Sequence, residues 1–189
     1  MEKILFINAC VRDNSRTLEL TKHILSKLQG NIEEIKLFNI NIPPLDKKGL
    51  KRRENAFKNK DFSSDEFLFA KQFASAEIIV VGAPYWDLMF PAVLKNYFEN
   101  VTVNGLTFGY SENGIPYGLC KAKKLIYVTT SGGYIINNFG FDYVNALSKS
   151  FYGIGEVQLV KAEGLDICGA NVAKIIEDAK CNFNPKHID

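Results

Sequence analysis

The chain has 189 residues, of which 47% are hydrophobic, 12% aromatic and 23% charged, the profile of a single α/β-sized domain spanning residues 1–189. A chain of this length buries about 70% of the surface its unfolded form exposes, which excludes a mini-protein stapled by disulfides or metal. Twenty-three Lys and Arg against twenty-one Asp and Glu leave a formal charge of +2, too balanced for a long-range field that would draw in nucleic acid or a membrane surface.

Met1, Glu2 and Lys3 lead straight into the apolar run Ile4–Ala9, with no signal-like region before it; nowhere does an apolar stretch approach the roughly 18 residues of a membrane span. That run predicts a strand. Polar residues follow, then a helix with Leu18, Ile24, Leu25 and Leu28 on one face, stopped by Gly30. Ile32, Ile35 and Leu37 alternate with charged residues, predicting a second strand with one wet face, which Pro43 and Pro44 end. Between Lys47 and Lys60 seven cations (Lys47, Lys48, Lys51, Arg52, Arg53, Lys58, Lys60) accompany Glu54 as the only acid. A solvated basic loop or frayed helix is the plain reading, and a phosphate-rich ligand the other.

A helix from about Asp65 to Ser75 delivers the chain to Ile78–Ala83, a third strand without alternation. Pro91 suits the first position of a helix striped by Leu94, Tyr97, Phe98 and Val101. Leu125–Thr130 predicts a fourth strand, and Phe141, Val144, Leu147 and Phe151 the next helix. Glu156–Glu163 alternates again, before a short helix carrying Val172, Ile175, Ile176 and Ala179.

Five strands alternating with five helices call for a parallel sheet covered on both faces. Strands one, three and four are apolar throughout and belong in the centre; strands two and five alternate and belong at the edges. With right-handed crossovers the order is 2-1-3-4-5, the doubly wound, flavodoxin-like arrangement, whose ligands bind beyond the carboxyl ends of the strands where the winding reverses. Three loops should converge there.

The first, Cys10–Thr17, has no glycine, which excludes both the G-x-G-x-x-G dinucleotide turn and the P-loop. It offers hydroxyls at Ser15 and Thr17, charge at Arg12 and Arg16, and the amides of a helix start, a set suited to a terminal phosphate, unless Asn14 or Ser15 merely caps the helix. The second, Ala83–Pro91, leaves Tyr85 and the sole tryptophan, Trp86, at a strand end, where a planar ring system or a neighbouring helix or subunit would cover them. The third, Thr129–Tyr134, holds Gly132 and Gly133, whose backbone can approach a ligand closely or simply form a tight turn. Phosphate donors, an aromatic platform and close-approach amides in three switch-point loops fit one ligand, FMN.

Ser15-Arg-Thr17, Pro84-Tyr-Trp-Asp-Leu88 with Leu94-Lys-Asn-Tyr-Phe98, Leu106–Gly114 with Gly118-Leu119, and Ser131-Gly-Gly-Tyr134 together resemble the FMN-dependent NADH:azoreductases within the flavodoxin-like NAD(P)H:quinone oxidoreductases, from Lys3 to about Lys180. Leu106–Gly114 carries most of the specificity, since neither a fold nor a turn requires it. The resemblance implies that Cys10, Ser15, Arg16 and Thr17 surround the FMN phosphate, that Pro84, Tyr85, Trp86, Asp87 and Leu88 run along the ring, and that Thr130, Ser131, Gly132 and Gly133 close its pyrimidine end. It implies a homodimer with the flavin near the interface, NADH or NADPH as co-substrate, and a small aromatic electron acceptor; the cysteines, which suit reduced thiols, point to the cytoplasm. Cys10 stands where the family usually has Ser, Asp87 where it has Asn, and Ser131 where Arg is frequent; a carboxylate at Asp87 beside the ring would lower its potential.

Ping-pong turnover is expected, with amides around Trp86 to Leu88 on one edge of the ring, those of Gly132 and Gly133 on the other, Phe108 and Tyr110 as a removable aromatic lid, and Tyr134 as a possible proton donor. No catalytic side chain and no metal ligand is predicted. Cys120, Cys168 and Cys181 have no C-x-x-C spacing and no paired histidine, so reduced thiols are the simplest account, and His23 and His187 are expected at the surface. The alternative is a low-molecular-weight phosphatase, because Cys10, five residues, Arg16 and Thr17 match C-x5-R-[ST]. An electron carrier without turnover is disfavoured, such carriers being strongly acidic.

Overall fold

A strand that is apolar on both faces needs cover on both, and the structure, a computed structural model describing residues 1–185, supplies it. His187 lies outside the described residues. Strands β1 (Lys3–Asn8), β2 (Asn31–Lys36), β3 (Ile78–Gly82), β6 (Lys124–Thr130) and β7 (Glu156–Ala162) form one parallel sheet in the order β2-β1-β3-β6-β7, which is the 2-1-3-4-5 arrangement.

The pleat sorts the core. Ile4, Phe6, Val80, Ile126 and Val128 pack on one face beneath α1 (Arg16–Ser26) and α6 (Val172–Cys181), through Leu20, Ile24 and Ile176. Leu5, Ile7, Ile79, Val81, Leu125 and Tyr127 pack on the other, against Phe73 of α3 (Leu68–Ser75) and Tyr97 and Phe98 of α4 (Ala92–Val101), with α5 (Phe139–Leu147) completing the layer through Val144. Every residue of β6 is buried, whereas only Ile35 is buried in β2, so central and edge strands fall where their patterns place them.

Two segments add elements to the five strands and five helices of the sequence reading. The basic stretch is a helix, α2 (Lys47–Asn59), opened by the Asp46 carboxylate accepting the Gly49 N–H at 2.7 Å and closed by Lys60 in the left-handed region. It therefore brings the helices to six. The segment after α4 forms a hairpin, β4 (Phe108–Tyr110) and β5 (Pro116–Gly118), whose turn uses Gly114 at φ +74°; part of Leu106–Gly114 thus has a plain structural role. Pro91 precedes α4 as its cap and is not its first residue. Among the described residues no helix is long and apolar enough to cross a membrane.

Candidate functional site

The chain reverses its winding between β1 and β3, so their carboxyl ends and that of β6 open onto one space. Bonds between successive strand ends prolong the sheet into its loops: Ala9 N–H to Gly82 O at 2.9 Å, Ala83 N–H to Val128 O at 3.0 Å, and Tyr85 N–H to Thr130 O at 3.0 Å.

The loop after β1 is pinned by Asn8, whose Oδ1 accepts the Cys10 N–H at 2.9 Å while its Nδ2 donates to Glu34 at 2.8 Å. Ser15 caps α1, its Oγ accepting the Leu18 N–H at 3.3 Å. The cap leaves the Arg16 and Thr17 N–H groups with no partner among the described residues, at the positive end of the helix. The Thr17 hydroxyl meets that of Thr130 at 2.7 Å, buried, and so ties the helix start to the end of β6. Close packing of α1 on β3 depends on Gly82, where a Cβ would lie 2.7 Å from Thr21 Oγ1.

After β3 the chain makes a two-residue turn in which Trp86 and Met89 exchange N–H to carbonyl bonds at 3.0 and 2.8 Å. The two tip residues, Asp87 (φ +49°) and Leu88 (φ +67°), are left-handed without being glycine, a conformation that costs roughly 1–2 kcal/mol for an ordinary side chain. The Trp86 N–H is consumed by the turn, so only those of Asp87 and Leu88 remain for a ligand. Trp86 stays 41% exposed at the rim. Tyr85 donates its hydroxyl to Asn137 O at 2.8 Å, locking this loop to the one after β6.

That third loop is braced by a fourth, which follows β7. Leu165 N–H bonds Ser131 O at 3.2 Å, Asp166 N–H bonds Gly132 O at 2.9 Å and Gly164 N–H bonds Gly133 O at 3.0 Å. Glu163 accepts the Ile135 N–H at 2.9 Å and pairs with Lys161 at 2.9 Å; burial alone would raise its carboxyl pKa, but these two contacts outweigh it and hold it below the ordinary value. The Gly132 and Gly133 N–H groups have no partner among the described residues.

These loops enclose a cavity of about 370 Å³. Ser15, Arg16, Thr17, Pro84, Tyr85, Trp86, Thr130, Ser131 and Gly132 line it, so the structure brings residues of all three predicted loops together. Asp87, Leu88 and Gly133 lie beside it and not in its wall, and Tyr134 is 71% exposed. Val11, Asn14, Leu165 and Asp166 also line it and were not predicted; the last two belong to the fourth loop, which borders the site because β7 neighbours β6.

Cys10 stands behind Ser15 of the wall. It is absent from the wall, its thiol pointing at Gly82 O 3.7 Å away, and burial pushes that thiol up to about 11. A phosphatase nucleophile must be a thiolate near neutral pH, and a thiol kept protonated by burial does not favour the C-x5-R reading. Phe108 and Tyr110 are not in the wall of their own chain's cavity. Their hairpin sits at the opposite, amino-terminal end of the sheet, where Lys121 N–H bonds Ala74 O at 2.9 Å and Phe108 packs on Phe151 with ring centroids 4.9 Å apart. They cannot cover the cavity of their own chain.

The donor set fits a molecule with an anion at one end and a carbonyl-bearing ring at the other. Unpartnered amides stand at the start of α1 and again at Gly132 and Gly133, and Trp86 lines the same cavity. FMN has that shape and that polarity, so the residues present fit it.

A sequence profile of the flavodoxin-like fold matches residues 2–184. An FMN-dependent NADH:quinone oxidoreductase of Coprothermobacter proteolyticus is 35% identical over 95% of this chain and 94% of its own, and one of Lachnoclostridium phytofermentans is 31% identical over 95% of both. An azoreductase structure from Bacillus anthracis Sterne superposes with a TM-score of 0.81 over 95% of each chain at 23% identity, a likeness of fold alone. An FMN-dependent NADH-azoreductase from Bacillus anthracis Ames Ancestor, solved in complex with FMN, gives 0.79 at 26% identity over 96% of this chain and 95% of that one.

Proposed function

The chain belongs to the flavodoxin-like family of FMN-dependent NADH:quinone oxidoreductases, and from that premise we propose that it uses FMN to reduce quinones and azo compounds with NADH or NADPH. Bound FMN supplies the hydride chemistry. The chain's residues bind, orient and shield. The Arg16 and Thr17 amides and the Ser15 hydroxyl hold the phosphate at the positive end of α1. Tyr85 and Trp86 flank the ring, and the amides of Gly132 and Gly133 stabilise negative charge on its pyrimidine edge.

Protons come from solvent. Tyr85 already commits its hydroxyl proton to Asn137 O, and Asp166 is paired with Arg16, so the wall offers no poised acid. Ping-pong turnover, in which NAD(P)H leaves before the acceptor enters, is part of this reading.

The observation that carries this reading is the pairing of unpartnered amides at the start of α1 with that of Gly132 in the wall of one cavity. The test is direct. Purified protein reconstituted with FMN should be yellow, lose that colour with NADH under nitrogen and regain it with a quinone; protein that retains no FMN after gel filtration would overturn it.

A homodimer in a reducing compartment completes the reading. Four unpaired thiols suit the cytoplasm. Trp86 leaves apolar surface in the cavity wall, Leu88, Ile136 and Phe139 leave more in the loops after β3 and β6, and Tyr110, Ile115 and Tyr117 on the distant hairpin. A second copy covers both patches by setting its hairpin over this chain's cavity.

A further inference from the structure

Asp166 has no place in the mechanism above, yet it sits in the cavity wall on the side of the phosphate donors. Its backbone is fixed by the N–H bond to Gly132 O at 2.9 Å, and its carboxylate spans two of the converging loops. One oxygen, Oδ2, lies where a side chain on Gly132 would start, 2.3 Å from the Cβ position. The other, Oδ1, accepts from Arg16 Nη2 at 2.8 Å. Arg16 is the first residue of α1, and its own N–H is one of the unpartnered amides.

A phosphate held at that helix start would meet a guanidinium already taken by a carboxylate. The pair is exchangeable, since Arg16 is 41% and Asp166 67% exposed, and an ion pair in such water contact is weak. A phosphomonoester carries more charge than a carboxylate and three acceptor oxygens, so it wins the guanidinium. The displaced carboxylate stays nearby, because the backbone of Asp166 is tied to Gly132.

We propose that Asp166 is a stand-in anion: its carboxylate holds Arg16 in place until a phosphomonoester displaces it, and its remaining charge then lowers the affinity for FMN relative to the uncharged-tail ligand riboflavin. This rests on the reading of the cavity as an FMN site. It assigns Asp166 a specificity role that touches binding and not chemistry.

The test is fluorescence titration of apoprotein with FMN and with riboflavin, for the wild type, Asp166→Asn and Asp166→Ser, with circular dichroism to confirm folding. Removing one like charge a few ångströms from the phosphate should tighten FMN roughly five- to tenfold at low salt. Riboflavin affinity should not change, and 0.5 M salt, added as part of the design, should shrink the FMN difference. Equal shifts for both ligands, or weaker FMN binding in both variants, would overturn the role of Asp166 while leaving the FMN site intact. Wild-type apoprotein that binds neither ligand would instead overturn the FMN reading itself.

Discussion

The hydroxyl pair of Thr17 and Thr130 lets the coupling between two cavity loops be measured. The two oxygens are 2.7 Å apart and 113 residues apart in sequence, and both residues are buried, at 1% and 8% exposure. Replacing either Thr with Val keeps the shape but takes from the other buried hydroxyl its partner, at a cost of about 1–3 kcal/mol. Replacing both removes the stranded group, so the double variant should lose at least 1 kcal/mol less than the sum of the singles. In a chain of this size each kcal/mol lowers Tm by about 2–4 °C, a readable shift. Urea unfolding followed by circular dichroism, with unchanged slopes, gives the four free energies of the cycle. FMN affinity should follow the same pattern, because the pair sets the distance between the start of α1 and the end of β6. Additive losses, with a coupling below about 0.5 kcal/mol, would refute the claim that this contact joins the loops.

Two further outcomes follow from the geometry. Leu88 sits at φ +67° and is 46% exposed, so Leu88→Gly gives up little burial and relieves left-handed strain; the unfolding midpoint should rise by the equivalent of about 1 kcal/mol, and a fall would show the turn unstrained. Glu163 is held below its ordinary pKa of 4.5 despite burial, by the Ile135 N–H and Lys161. A depressed folded pKa means stability present above 4.5 and lost as pH falls through the folded value. The stability gap between wild type and Glu163→Gln should therefore close as pH drops below 4.5; a gap independent of pH would refute the linkage.

The strand pattern carried the sheet because it reports burial on both faces at once. Ile4 and Phe6 face one helix layer while Leu5 and Ile7 face the other, and only a central strand needs both to be apolar. Helix α2 escaped the same logic because its buried side amounts to Gly49 and Ala56, too little to show against a run of cations. The Trp86–Met89 turn escaped for the opposite reason: positive φ favours Gly or Asn, and Asp87-Leu88 gives no such signal. Asp166 entered the site through a neighbour relation between β6 and β7 that fixes which loops adjoin but not which of their residues point inward.

The distance of the hairpin from its own chain's cavity has a geometric cause. Phe108 follows Pro84–Leu88 along the chain. Yet α4 intervenes with ten residues, and at 1.5 Å per residue it carries the chain about 15 Å, from the carboxyl ends of the strands back to their amino ends. The hairpin is then fixed at that far edge, where Gly118 lies so close to Tyr152 that a Cβ would meet its backbone carbon at 2.1 Å. A contact that tight leaves no room for the hairpin to swing toward its own cavity. If Tyr110 serves any such cavity, it is the one in a second copy of the chain, so diluting the protein below its dimerisation range should weaken acceptor binding while leaving FMN bound.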